Sequence, residues 1–145
     1  MIFIIDDDRP MAECIAAACR SRKNRENQEN QENRKSQGDQ ENREDQKSRE
    51  DCDVKIFSNA ISAISALDES ENLPSLIFLD VLLDGPDGFT LLHELASYSD
   101  TAKIPIVIVS SLNLPSDLSA YGIRKVLDKS TMTPTDIINC LEEYC

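Results

Sequence analysis

Residues 76–88 read Leu-Ile-Phe-Leu-Asp-Val-Leu-Leu-Asp-Gly-Pro-Asp-Gly. An apolar run of four ends abruptly in Asp80, and turn formers follow. A short continuous apolar run bounded by turn residues is the pattern of a strand buried on both faces, as in the interior of a parallel sheet. Asp80 then stands at the carboxyl end of that strand. In open α/β sheets the ligand crevice lies just outside those ends, so a carboxylate there is a candidate for chemistry. A turn or helix-capping aspartate fits the same local pattern. What separates the two readings is whether other polar groups converge on the same edge.

Working outward, Ile2 to Ile5 is a second apolar run and ends in Asp6-Asp7-Asp8. Pro10 suits the first turn of a helix, and Met11, Ile15, Ala18 and Cys19 recur at helical spacing. Val54 to Phe57 begins another strand, followed by a helical stripe of Ala60, Ile61, Ala63, Ile64 and Leu67. After Asp80, Phe89, Leu92, Leu95 and Ala96 mark a helix, and Ile104 to Val109 a strand that ends in Ser110-Ser111. Pro115 opens a short helical stretch to Tyr121, and Lys125 to Leu127 is a brief strand before Asp128-Lys129. Thr133-Pro134-Thr135-Asp136 combines an N-cap hydroxyl, an early proline and an acidic third residue. Ile137, Ile138, Leu141 and Tyr144 then mark a final helix.

Five strand–helix units with short connections require a parallel sheet covered on both faces. The expected fold is therefore α/β: a doubly wound five-stranded parallel sheet with helices on both faces. Its carboxyl edge collects Asp6, Asp7 and Asp8, then Asp80, Ser110 and Lys129. At 145 residues and 40% apolar, one domain over residues 1–145 with one core is expected.

Ser21 to Asp51 is a different material: 31 residues of polar and charged side chains and one glycine, without an apolar one. Glu26-Asn27-Gln28 is followed by Glu29-Asn30-Gln31 and Glu32-Asn33-Arg34, and Gln40 to Asp45 resembles Gln46 to Asp51. Such low-complexity sequence cannot join a core, and it reads as a disordered or marginally helical insertion between the first helix and the second strand. Its energetic burden is small, because lengthening a loop from about five to about thirty residues adds only roughly 1.6 kcal/mol of closure entropy. Neutral expansion and a docking or spacing role are both compatible with it.

The net charge is −12, from 27 acidic and 15 basic residues. Nine of each sign lie between Arg20 and Asp51, which leaves 18 acidic against 6 basic residues elsewhere. That balance argues against direct nucleic-acid binding and favours a metal ion or a partner with a basic patch. The five cysteines form no CxxC pair and no zinc spacing, so reduced thiols are expected. Cys14 with Cys19, and Cys140 with Cys145, are each five apart, which suits separate core or surface thiols. His93 reads as an ordinary, partly exposed histidine. Neither a signal peptide nor a membrane span is expected, which points to a cytoplasmic protein.

Carboxylates converging in one crevice repel one another unless a cation arrives. Mg²⁺ typically takes one or two carboxylates, waters and a phosphate, so the edge reads as a phosphoryl site. A lysine and a hydroxyl beside it could hold phosphoryl oxygens, with Asp80 placed as the nucleophilic acceptor.

Outside residues 21–51, the sequence resembles the receiver domains of two-component response regulators, the single-domain, CheY-like kind. The matching positions, in order, are Asp6 and Asp7, Asp80, the Asp87-Gly88 turn, Ser110 and Lys129. The resemblance implies Mg²⁺ held by Asp7, Asp80 and the backbone carbonyl of Leu82, with Asp6 acting through water. It implies a phosphoryl group accepted on Asp80 from a histidine kinase or phosphotransfer protein, Lys129 pairing with that group, and Ser110 moving to bond it. Three positions depart from the family. Ser130 follows Lys129 where proline is usual, so a cis bond is not expected there. Asp84 replaces a loop proline, and Val126 stands where a switching Tyr or Phe is common. The short fourth helix makes an unusual target surface a further expectation.

With no output domain expected before Met1 or after Cys145, the protein should act by binding a downstream protein in trans or by passing the phosphoryl group onward. Two other classes compete: a pseudo-receiver that binds without phosphorylation, and a haloacid-dehalogenase-type phosphatase with Asp6 as nucleophile. For the latter, Pro10 stands where a threonine is expected and the later acidic pair is missing.

Overall fold

The computed structural model describes residues 1–34, 53–83, 87–114 and 121–145. The strands are β1 (Ile2–Ile5), β2 (Val54–Phe57), β3 (Leu76–Leu79), β4 (Ile106–Ser110) and β5 (Ile123–Asp128). They form one sheet in the order β2-β1-β3-β4-β5, with every neighbouring pair parallel. The described helices are α1 (Arg9–Arg34), α2 (Ala60–Glu69), α3 (Gly88–Ser97) and α4 (Pro134–Tyr144). The expected doubly wound parallel sheet is what the chain forms.

Alternation along the strands divides the core in two. Phe3, Ile5, Ile77 and Leu79 face α2 and α3, where Ala60, Ala63, Leu67, Leu91, Leu92 and Leu95 meet them. Ile2, Ile4, Leu76 and Phe78 face α1 and α4, against Ala12, Ile15, Ala16, Cys19, Ile137, Cys140 and Leu141. β1, β3 and β4 are buried throughout, whereas the edge strands β2 and β5 are partly open. That is why the inner strands are continuous apolar runs and the outer ones are not.

Helix starts follow local chemistry. Asp8 Oδ1 accepts from the Met11 N–H at 3.3 Å, which places its charge at the positive end of α1. Asn59 caps α2 by accepting from Ser62 N–H, and Asp87 caps α3 by accepting from Thr90 N–H. At α4, the Asp136 carboxylate accepts from both the N–H and the hydroxyl of Thr133.

Several boundaries differ from the sequence reading. α1 continues through Ser21 as far as Arg34, well into the polar stretch, because no proline or glycine interrupts it there. β4 begins at Ile106, since Thr101–Lys103 forms a short 3-10 turn and the Ile104 N–H closes it on Thr101. β5 is longer than Lys125 to Leu127, and a register irregularity between Ile106 and Val107 shifts its pairing so that Ser110 opposes Asp128. Gly122, at φ 75°, makes the turn into β5. The helical stretch expected from Pro115, the loop residue Asp84, Cys52 and the polar sequence beyond Arg34 lie outside the described residues. Among the described residues no helix is long and apolar enough to cross a membrane.

Candidate functional site

β1 and β3 are neighbours in register, Ile5 beside Leu79, so the residues that follow them are set side by side. Asp6 and Asp80 are those residues. The Asp6 N–H donates to Phe57 O and the Asp80 N–H to Ile5 O, which extends the sheet ladder one step past each apolar run. Both carboxylates are buried, at 2% and 5% exposure, while Asp7 is exposed beside them. Ser110 ends β4 and is buried too. Its carbonyl accepts from the Lys129 N–H at 3.1 Å, which ties the ends of β4 and β5 together.

The Asp6, Asp80 and Lys129 side chains meet in one contact set. Lys129 Nζ lies 2.7 Å from Asp80 Oδ2 and 2.8 Å from Asp6 Oδ2. Asp80 Oδ1 accepts from the Leu82 N–H at 3.0 Å, and Asp6 Oδ1 from the Asp8 N–H at 2.8 Å. Asp6 Oδ2 is buried, and its approach to Nζ is an ion pair without hydrogen-bond geometry, so that oxygen has no hydrogen-bond partner. Ser110 Oγ accepts from the Leu112 N–H at 3.2 Å. The sequence-derived residues Asp6, Asp7, Asp80, Ser110 and Lys129 are thus brought to one sheet edge, and Leu82 meets Asp80 through its backbone N–H.

Burial pushes the Asp6 carboxyl above its ordinary range, against the pull of Lys129. Burial acts to lower Lys129, but its contacts with Asp6 and Asp80 outweigh it and hold the ammonium above its ordinary value. One ammonium faces two buried carboxylates and an exposed third. One oxygen from each of Asp6, Asp7 and Asp80 lies within 4.8 Å of the others, a spacing that suits a hard divalent cation. Asp6 Oδ2, buried and held by the Lys129 ion pair without a hydrogen bond, is an oxygen that such a cation, or a water bound to it, would engage. The residues present therefore fit a metal ion.

Three features escaped the sequence reading. A Cβ on Gly88 would stand 2.6 Å from the carbonyl oxygen of Asp80, so glycine is what lets α3 start against the acceptor strand. Asp128 Oδ1 accepts from both the N–H and the hydroxyl of Ser130, directly around Lys129. His93 meets the Tyr121 ring edge-on at 5.1 Å. Only the second had a local signal, an Asp two residues before a Ser at a strand end. The peptide bond after Lys129 is trans, since no cis bond occurs among the described residues. Val126 is 40% exposed on β5. Cys14 and Cys145 are exposed, while Cys19 and Cys140 are buried.

The receiver domain of NtrX from Brucella abortus superposes with a TM-score of 0.65, at 20% identity over 99% of this chain and 97% of that one. The chain has the fold of a response-regulator receiver domain. The same receiver fold is seen in the receiver domain of sensor histidine kinase PA1611 from Pseudomonas aeruginosa, whose active-site cleft coordinates a magnesium ion. There the TM-score is 0.66, at 16% identity over 99% of this chain and 94% of that one. A putative response regulator from Chloroflexus aurantiacus gives a TM-score of 0.66, at 20% identity over 99% and 94% of the two chains. In sequence, 44 residues are 39% identical to response regulator PleD of Caulobacter vibrioides, and they span 30% of this chain and 10% of PleD. No family model matches the chain.

Proposed function

We propose that this receiver fold is a phosphoacceptor that takes a phosphoryl group onto Asp80 from a histidine kinase or phosphotransfer protein and signals to, or relays it to, a downstream protein in the cytoplasm. The observation that carries the reading is the Lys129 ammonium held within 2.8 Å of a buried carboxylate oxygen of each of Asp6 and Asp80, with Asp7 beside them. Asp6, Asp7, Asp80 and the carbonyl of Leu82 would hold Mg²⁺. When bound, the ion offsets the repulsion between these carboxylates and the incoming phosphoryl oxygens.

Each residue then has a task. A carboxylate oxygen of Asp80 attacks phosphorus, the P–N bond to the donor imidazole breaks, and its electron pair stays on the ring nitrogen. Formation of the acyl phosphate removes the carboxylate charge of Asp80, so Lys129 keeps Asp6 and gains a phosphoryl oxygen in place of the lost carboxylate. The Ser110 hydroxyl, at the end of β4, would turn toward the same group. In this reading no step uses Asp6 as nucleophile.

Acetyl phosphate with Mg²⁺ should label the protein once, and Asp80→Asn should abolish the label. Absence of labelling with any phosphodonor would leave the pseudo-receiver reading, and labelling that survives Asp80→Asn would move the nucleophile to another carboxylate such as Asp6.

A further inference from the structure

A lysine has a long flexible stem, so holding its ammonium between two carboxylates depends on how the backbone at its root is fixed. Lys129 leaves β5 in a turn, and its own backbone contributes one bond, N–H to Ser110 O at 3.1 Å. The remaining order comes from Asp128. Its carboxylate accepts from the Ser130 N–H at 2.8 Å and the Ser130 hydroxyl at 2.6 Å. Its carbonyl accepts from the Thr131 N–H at 3.1 Å and the Met132 N–H at 2.8 Å. Four donations therefore converge on the residue before Lys129, and two of them come from the residue after it.

Neither Asp128 nor Ser130 packs in the core; both are exposed. The Ser130 donations hold the Asp128 carboxyl below its ordinary range, so it accepts as a full carboxylate at neutral pH. The register irregularity in β5 adds the last constraint, since it sets Asp128 opposite Ser110 at the strand end.

We infer that Asp128 is a positioning residue which, through its bonds to Ser130, locks the turn that holds the Lys129 ammonium between Asp6 and Asp80. Its consequence for phosphoryl transfer rests on the function proposed above; its consequence for Lys129 does not.

Two readouts keep these apart. The first is the Nζ resonance of Lys129 in ¹⁵N-lysine NMR, assigned by its loss in Lys129→Met, which reports the ion pairs without any phosphodonor. Asp128→Ala should move it toward the exposed-lysine position and speed its proton exchange, Ser130→Ala should do so less, and Asp128→Asn, which keeps an acceptor oxygen, should restore it. The second is the acetyl phosphate labelling rate, expected to fall roughly tenfold in Asp128→Ala through a misplaced lysine, and to recover in Asp128→Asn. In a Lys129→Met background Asp128→Ala should cost nothing further.

An unchanged Lys129 resonance in Asp128→Ala would overturn the inference, as would an equal loss of labelling with and without Lys129. A wild-type protein that is never labelled, but whose Lys129 resonance still answers to Asp128, would overturn the proposed function and leave the positioning role standing.

Discussion

Gly88→Ala puts two physical effects in direct opposition. Gly88 is the first residue of α3, where alanine is the better helix former by at most about 1 kcal/mol. Against that, an added Cβ would lie 2.6 Å from both Asp80 O and Val81 Cα, and 3.3 Å from Asp80 C. Ordinary contact starts at 3.4 Å, so two backbone atoms would each have to retreat by about 0.8 Å. They belong to the end of a central strand, and Gly88 is itself tied to it by its N–H on Val81 O at 3.0 Å. Overpacking of this kind costs about 1–3 kcal/mol, toward the upper end where no side chain can swing aside. The net expectation is a loss of about 2 kcal/mol, or roughly 6 °C in Tm for a chain of this size. Urea unfolding followed by far-UV circular dichroism measures it. Because the clash falls on the carbonyl of the acceptor itself, the labelling rate should fall with the stability. A variant as stable as the wild type would show that helix propensity wins and that the close approach is not a constraint. Lost stability with full labelling would refute the coupling to Asp80.

In divalent-free buffer, Lys129→Met removes the ammonium from between two buried carboxylates. Because its side chain is 12% exposed, we discount the usual penalty for breaking a buried pair to about 2 kcal/mol. Millimolar Mg²⁺ should raise the Tm of both proteins, since it binds the folded cluster and not the unfolded chain; no shift in either would count against the metal site. The same variant carries a pH test. Lys129 titrates above its ordinary 10.5 in the fold, so its stabilisation is complete below 10.5 and fades as pH climbs through the raised value. Wild-type stability should therefore fall more steeply than that of Lys129→Met in this alkaline window, and parallel curves would refute the pairing. Replacing residues 21–51 with a linker of about five residues should change stability by less than about 2 kcal/mol and leave labelling intact. Among the described side chains of α1, the buried ones run from Ala12 to Cys19 and precede the cut. A collapse of the fold would show that the polar stretch is structural.

The inner strands were legible because burial on both faces disfavours polar side chains, so β1, β3 and β4 as far as Val109 appear as unbroken apolar runs. The same logic exposed Asp6 and Asp80, each the first polar residue after such a run. The reach of α1 to Arg34 was legible only as one of two possibilities, disorder or a marginal helix, because a polar stretch without a breaker carries no apolar stripe to decide between them. The close approach of Gly88 to Asp80 depends on how α3 meets β3 after an intervening loop, and the sequence carries it only as one more glycine in a turn. Likewise, the pairing of Ser110 with Asp128 depends on an irregularity in β5 that no local pattern announces.

Strand order explains why a lysine, held at its root, completes this site. Asp6 and Asp80 leave adjacent strands, so their carboxylates meet without help. Lys129 leaves β5, which is two strands from β3 and three from β1, a lateral separation of about 10 Å or more at the usual strand spacing. Only a long side chain spans that gap, and it must pass the end of β4, where Ser110 is small and buried. Length brings rotamer freedom, and freedom at the stem would blur the position of the charge at its tip. An anchored turn offsets that loss. The bond from Lys129 N–H to Ser110 O fixes the turn on the β4 side, and Asp128 with Ser130 fixes it on the other. Position and charge in this site are therefore set by different residues: Lys129 carries the charge, and its two exposed neighbours decide where the charge can be.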